Sequence, residues 1–169
     1  MADRLSPAER SRQMARIRAT NTAPEIHLRK GLHRAGFRFR LHSRSLPGRP
    51  DIVLPRFRAA IFVHGCFWHR HPGCSIAYLP KSRADFWSRK FSENVDRDRR
   101  HLKALLDQDW RVAVVWECGL RRARTRPLTI QSAINWLRSG RVRAEIPKAS
   151  AMRAKTLRSD RHRRTEHDR

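Results

Sequence analysis

The order of elements predicted along this chain is two helices, three strand candidates, a long helix, a strand and a closing helix. That order places it in the α/β or α+β class, with helices flanking a mixed sheet. Three observations carry the prediction. Two segments open with helix-capping sequences, at Ser6 and Thr22. Two apolar runs, Arg58–Gly65 and Arg111–Cys118, have strand length. The stretch from about Arg83 to Gln108 repeats Phe86, Phe91, Val95, Leu102, Leu105 and Leu106 at helical spacing.

In order, "SPAERSRQMARIR" begins with Ser6 as N-cap, Pro7 in the first helical position and Glu9 completing a capping box. This predicts a basic helix over 6–18, with Met14 and Ile17 three residues apart. "TAPE" repeats the device with Thr22, Pro24 and Glu25, and the helix it starts should stop at Gly36. Gly31 weakens that helix. "FRFRL" (Phe37–Leu41) alternates apolar and basic residues as a half-buried strand does. "LPGRP" is a turn, and "DIVL" starts a strand at Asp51. "LTIQSAINWLRSG" closes the fold as an amphipathic helix ended by Gly140. One domain over 1–140 and a basic, disordered tail over 141–169 complete the organisation.

The 169 residues suit a single domain with its own core. The 39 Lys+Arg against 15 Asp+Glu leave +24. This excess is not confined to the tail, and it favours a polyanionic partner, nucleic acid first. A plainly basic protein is the blander alternative. No apolar run approaches the ~20 residues that span a bilayer, so no membrane role is expected. No apolar core of a secretory signal follows Met1. An odd cysteine count beside histidines suits a metal site in a reducing cytoplasm better than a disulfide framework.

That metal site is read from spacing. Cys66, His71 and Cys74 lie within one loop, and Cys118, the remaining cysteine, supplies the fourth ligand of a closed Cys3His zinc site. Buried free thiols with surface histidines are the alternative. His64 and His69 are left over, suited to proton transfer or to holding water beside a metal. Asp51, directly after Pro50, suits a Mg²⁺ ligand, although a turn role also accounts for it. Glu25 has the same ambiguity, because its cap role suffices. Phe67 and Trp68 lie in a polar loop, where they can stack on bases or wedge between them, or simply pad the loop.

The motifs "NTAPE", "SLPGRPDIV", "IFVHGCFWHRH", "NVDRDRR" and "WRVAVVWEC" together resemble the very-short-patch repair (Vsr) DNA mismatch endonucleases of bacteria, from about Ser11 to Trp136. The resemblance implies a fold similar to type II restriction endonucleases, of the PD-(D/E)XK type, with a structural zinc. It also implies Mg²⁺-dependent nicking of duplex DNA 5′ to the thymine of a T·G mismatch, the product of 5-methylcytosine deamination. By that resemblance Asp51 is the direct Mg²⁺ ligand, helped by the backbone carbonyl of Val63, and His69 is the general base. His64 and Glu25 organise water around the ion, while Cys66, His71, Cys74 and Cys118 form the zinc set. Phe67, Trp68 and Trp87 wedge into DNA, Met14 enters from the minor-groove side, and Lys90 and Asn94 contact the mispair. A monomer in the bacterial cytoplasm, associated with the nucleoid, is expected, with other mismatch-repair proteins as further partners. The chain departs from the family pattern at Val63, where threonine is usual, and in "HRHPGC", which carries one extra residue before Cys74. Two other readings remain at this point: a zinc-stabilised DNA-binding module without catalysis, and a restriction-type enzyme cutting matched DNA.

Overall fold

The computed structural model describes residues 20–148. The expected helix over 6–18, Met14 within it and the tail from 149 onward lie outside the described residues. Helix α1 (Ala23–Arg34) leads to β1 (Arg40–Leu41), β2 (Ile52–Leu54), a 3-10 turn (Pro55–Phe57) and β3 (Ala59–His64). Then come α2 (Ala84–Leu106), β4 (Arg111–Trp116), α3 (Glu117–Arg121), α4 (Arg126–Arg138) and β5 (Arg143–Ile146). The result is a mixed five-stranded sheet in the order β1-β2-β3-β4-β5. β1, β2 and β3 form an antiparallel meander, and β3, β4 and β5 run parallel.

α1 starts where its capping sequence says. Thr22 and Glu25 form a reciprocal capping box, and Gly36, at φ +88°, lies just past its end. Gly31, read as a weakness, has a packing reason: a Cβ there would lie 2.5 Å from Ile130 of α4. The two helices can approach only because that atom is absent.

The central strands are apolar on both faces, as strands covered by helices on both sides must be. Ile61, Ala113 and Val115 join Leu28 and Leu32 of α1 and Trp136 and Leu137 of α4 in the larger core. The alternate residues Ala60, Phe62 and Val112 pack on Leu105 of α2, on the opposite face. His64 is two residues beyond Phe62, so the period of two turns it to the α2 side.

Three expectations need correction. The strand over 37–41 shrinks to Arg40–Leu41, both exposed, because Phe37 leaves the alternation to pack on Phe57. The strand over 111–118 ends at Trp116, so Cys118 lies in α3. The fold also continues past Gly140: β5 pairs with β4, matching Val112 with Arg143 and Val115 with Ile146. Among the described residues no helix is long and apolar enough to cross a membrane.

Candidate functional site

The loop after β3 is wound by backbone hydrogen bonds. His71 N–H donates to the Cys66 carbonyl at 3.1 Å, and Cys74 N–H donates to that of His71 at 3.3 Å. Glu117 anchors its start by accepting from Cys66 N–H at 3.2 Å. α3 begins at the end of β4, which parallels β3, and so delivers Cys118 to the same point. One ligand atom from each of Cys66, His71, Cys74 and Cys118 lies within 4.8 Å of the others. His71 Nδ1 is 3.4 Å from Cys118 Sγ and 3.7 Å from Cys66 Sγ. Around a tetrahedral zinc with N and S bonds of about 2.0 and 2.3 Å, a nitrogen–sulfur pair is ~3.5 Å apart. The donor set and the spacing both fit that ion.

The cage is rigid. Cys66 and His71 are buried, and the His71 ring stacks on Trp116 at 4.3 Å between centroids. Hydrogen bonding from Cys66 and from His71 pulls the Cys118 thiol down to about 5. The shared bond with Cys118, with burial behind it, pushes the Cys66 thiol well up. A set that favours a thiolate even without metal is prepared for a cation. All four positions are protein atoms, so an ion held there would have no open place for water, as in a structural site.

Beside the cage lies a cavity of about 800 Å³. On one wall Asp51, ahead of β2, accepts a hydrogen bond from Val63 N–H at 2.7 Å. Burial, only partly offset by that bond and reinforced by the Glu25 carboxylate, raises Asp51 to about 6. Glu25 keeps its capping role, accepting from Asn21 N–H at 3.0 Å and from the Thr22 hydroxyl at 2.9 Å. It also lines the cavity, so its two readings are compatible. A half-buried carboxylate held near a second one is where a hard divalent cation gains most, because oxygen ligands suit it and its charge relieves their repulsion. The residues therefore fit Mg²⁺ at Asp51.

Also lining the cavity, the His69 and His64 rings stack at 3.9 Å between centroids and an interplanar angle of 12°. His69 Nδ1 is hydrogen-bonded to Asp98 Oδ2 of α2. Burial alone would push Asp98 up, but the hydrogen bond and charge of His69, with His64 and Arg97, outweigh it and hold the carboxyl below its usual value. An ionised carboxylate only accepts, so His69 carries its proton on Nδ1 and offers Nε2 as a base. His64 is different: burial, then the charge of His69, drives it down to about 3. It is neutral near pH 7 and too weak a base to take a proton from water.

Phe67 and Trp68 are half-buried and line the cavity. Asn94 donates to the Trp68 carbonyl at 3.2 Å, and Lys90 lies on the same wall. Trp87 is placed differently. It is 8% exposed and packs beneath Phe67 at 5.4 Å and Trp68 at 5.9 Å, off the cavity wall. In this conformation it supports the two loop aromatics. Sequence reasoning missed Asp98 and His42. A signal for Asp98 existed: Trp87, Phe91, Asn94, Asp98, Leu102 and Leu105 form the inward stripe of α2, polar only where it meets the cavity. His42, in a turn, had none.

Comparison with known proteins matches this sequence to one family. The family model described as DNA mismatch endonuclease Vsr matches residues 2–75. The chain is 56% identical over 120 residues to the Type II nicking enzyme V.XorIIP of Xanthomonas oryzae pv. oryzae, covering 71% of this chain and 88% of that protein. It is 46% identical over 121 residues to DNA mismatch endonuclease Vsr of Escherichia coli, covering 72% and 77% respectively. Identity to the Type II nicking enzyme V.NmeAIP of Neisseria meningitidis is 40% over 121 residues, covering 72% and 86%. With this identity and coverage, the chain belongs to the Vsr family of DNA mismatch endonucleases and is a DNA endonuclease.

Proposed function

We propose that this endonuclease nicks one strand of duplex DNA 5′ to the thymine of a T·G mismatch by Mg²⁺-dependent hydrolysis, starting very-short-patch repair. The observation that carries the reading is that one cavity holds the Asp51 carboxylate, the oriented base His69 and the loop aromatics Phe67 and Trp68. The mixed sheet, with a carboxylate opening its second strand, supports a restriction-endonuclease-like fold.

Asp51, with the Val63 carbonyl, would hold Mg²⁺, and Cys66, His71, Cys74 and Cys118 would hold zinc. Mg²⁺ at Asp51 would supply Lewis acidity to the phosphodiester and stabilise the leaving oxygen. The rest falls to the chain itself. Asp98 fixes the His69 tautomer, so that Nε2 takes the proton of the attacking water. His64, neutral, stacks on that ring and limits its rotation, and Glu25 orders solvent next to Asp51. A zinc ion there would do no chemistry; Cys66, His71, Cys74 and Cys118 around it would hold the segment that carries base and wedge together, tying hydrolysis to recognition.

Recognition rests on deformability. A T·G wobble stacks poorly, so inserting Phe67 and Trp68 there costs less than the few kcal/mol per step of matched DNA. Lys90 and Asn94 would meet the mispair, and Trp87 would back the wedge. The family resemblance further supports a monomer acting at the bacterial nucleoid alongside other repair proteins. Asp51→Ala should abolish nicking of a T·G duplex in Mg²⁺ while leaving zinc content and the thermal transition in place. Full activity in that variant would remove Asp51 from the chemistry. Binding without nicking of any duplex by the wild type would instead indicate a zinc-stabilised DNA-binding module.

A further inference from the structure

We propose that Arg29 is a resident cation of the Asp51 site. Its guanidinium takes the place beside Glu25 and His42 that a second divalent ion would fill, so the site loads a single divalent ion, at Asp51. The inference rests on the reading of Asp51 as the divalent-ion ligand.

Glu25, His42 and Asp51 each present one ligand atom, and the three lie within 4.8 Å of one another. Such a trio can hold an ion. Phosphodiester hydrolysis often uses two ions, ~3.5–4 Å apart. Here a positive group already stands between two of the three. Arg29 Nη2 is 2.5 Å from Glu25 Oε2 and 3.0 Å from His42 Nε2. Those two acceptors are themselves 3.8 Å apart, separated as ligands are across a cation.

The direction of these contacts follows from chemistry. A guanidinium only donates, so His42 Nε2 must accept and the ring proton sits on Nδ1. The Nε2 lone pair is thereby spent on Arg29. The Nδ1–H faces Asp51 Oδ1 at 3.7 Å, too far for a hydrogen bond. Asp51 keeps that oxygen for an ion, while Glu25 Oε2 and His42 Nε2 are committed to the guanidinium.

Arg29 is also held by Asn21, whose Oδ1 accepts from Nη1 at 2.7 Å. Its side chain is 11% exposed, and its Nε is buried with no hydrogen-bond partner. An orphaned buried donor is unfavourable, and the fold accepts it to keep the charge at this point. Glu25 and His42 face the cavity, whereas Arg29 lines a separate groove behind them. It therefore acts through those residues rather than on DNA, as a positioning residue.

Counting bound Mn²⁺ on the zinc-loaded protein tests this, using the loss of the free Mn²⁺ EPR signal. The strongly positive chain keeps adventitious Mn²⁺ binding low. The expected count is one ion for the wild type and for Arg29→Lys, which retains the charge. It is two for Arg29→Ala and for Arg29→Gln, which keeps most of the stem should the alanine variant fold poorly. Arg29→Ala/His42→Ala should return to one. A count of one in both neutral variants, or of two in the wild type, overturns the inference and leaves the Asp51 reading standing. No Mn²⁺ bound by any of these proteins overturns both.

Discussion

Replacing Asp51 with asparagine should make the protein more stable while destroying its activity. The Asp51 carboxyl titrates at about 6 in the folded chain against an ordinary 3.8. That difference corresponds to ~3 kcal/mol of penalty on the charged form. The folded chain binds its proton more tightly, so the penalty is fully present above pH 6 and vanishes once both states are protonated, below pH 4. The substituted amide would remove the charge and keep an oxygen for Val63 N–H. Relaxation of the site reduces the gain, so we expect ~1–3 kcal/mol at pH 7.5 without added Mg²⁺. For a chain of this size each kcal/mol moves Tm by roughly 2–4 °C. Because of the titration, the gain at pH 5 should be about half that at pH 7.5. Saturating Mg²⁺ should raise the wild-type Tm and leave that of Asp51→Asn unchanged, since only a binding-competent folded state is stabilised. Thermal unfolding followed by circular dichroism measures each quantity. A variant no more stable than wild type at pH 7.5, or a gain that is the same at pH 5, would refute the placement of a strained carboxylate at this site.

Other parts of the site make separate predictions. Asp98→Asn leaves a hydrogen bond to His69 but favours the wrong tautomer, so single-turnover nicking should fall by ~10²–10⁴-fold with little change in DNA affinity. A loss in binding alone would argue against the tautomer role. Cys118→Ala opens the zinc cage and should eliminate bound zinc, measured by metal analysis, and lower Tm by roughly ten degrees or more; stoichiometric zinc in that variant would displace Cys118 from the set. Trp68→Ala should narrow the difference in affinity between T·G and T·A duplexes by roughly 1–3 kcal/mol, read by fluorescence anisotropy. An unchanged difference would mean that the loop aromatics only pad the fold.

What the sequence shows is what short-range physics decides. α1 is readable because Thr22, Glu25 and Gly36 fix its ends within the segment itself. The Cys/His cluster that could hold a metal is readable because three of its donors share one loop and the fourth is the remaining cysteine. β5 is not readable, since four residues rich in charge become a strand only because β4 offers an edge. The α2 stripe fails for a related reason. Val95 looks like its apolar member, but it is only half-buried, whereas Asn94 is buried and Asp98 is hydrogen-bonded, and their partners Trp68 and His69 come from a distant loop. The Arg29–Glu25–His42 contact also joins segments apart in sequence, and two of its members have ordinary helix or turn roles when read alone.

The central proposal is nicking at a T·G mispair by the groups around Asp51 and His69. Its most direct test is single-turnover nicking of an end-labelled duplex carrying one T·G pair, compared in Mg²⁺ with the same duplex carrying T·A. The expected result is a single break 5′ to the mispaired thymine, with nicking of the matched duplex slower by about a hundredfold or more, the factor that ~3 kcal/mol of transition-state discrimination supplies. Equal rates on both duplexes, or breaks in both strands, would contradict it and point to a restriction-type enzyme acting on matched DNA.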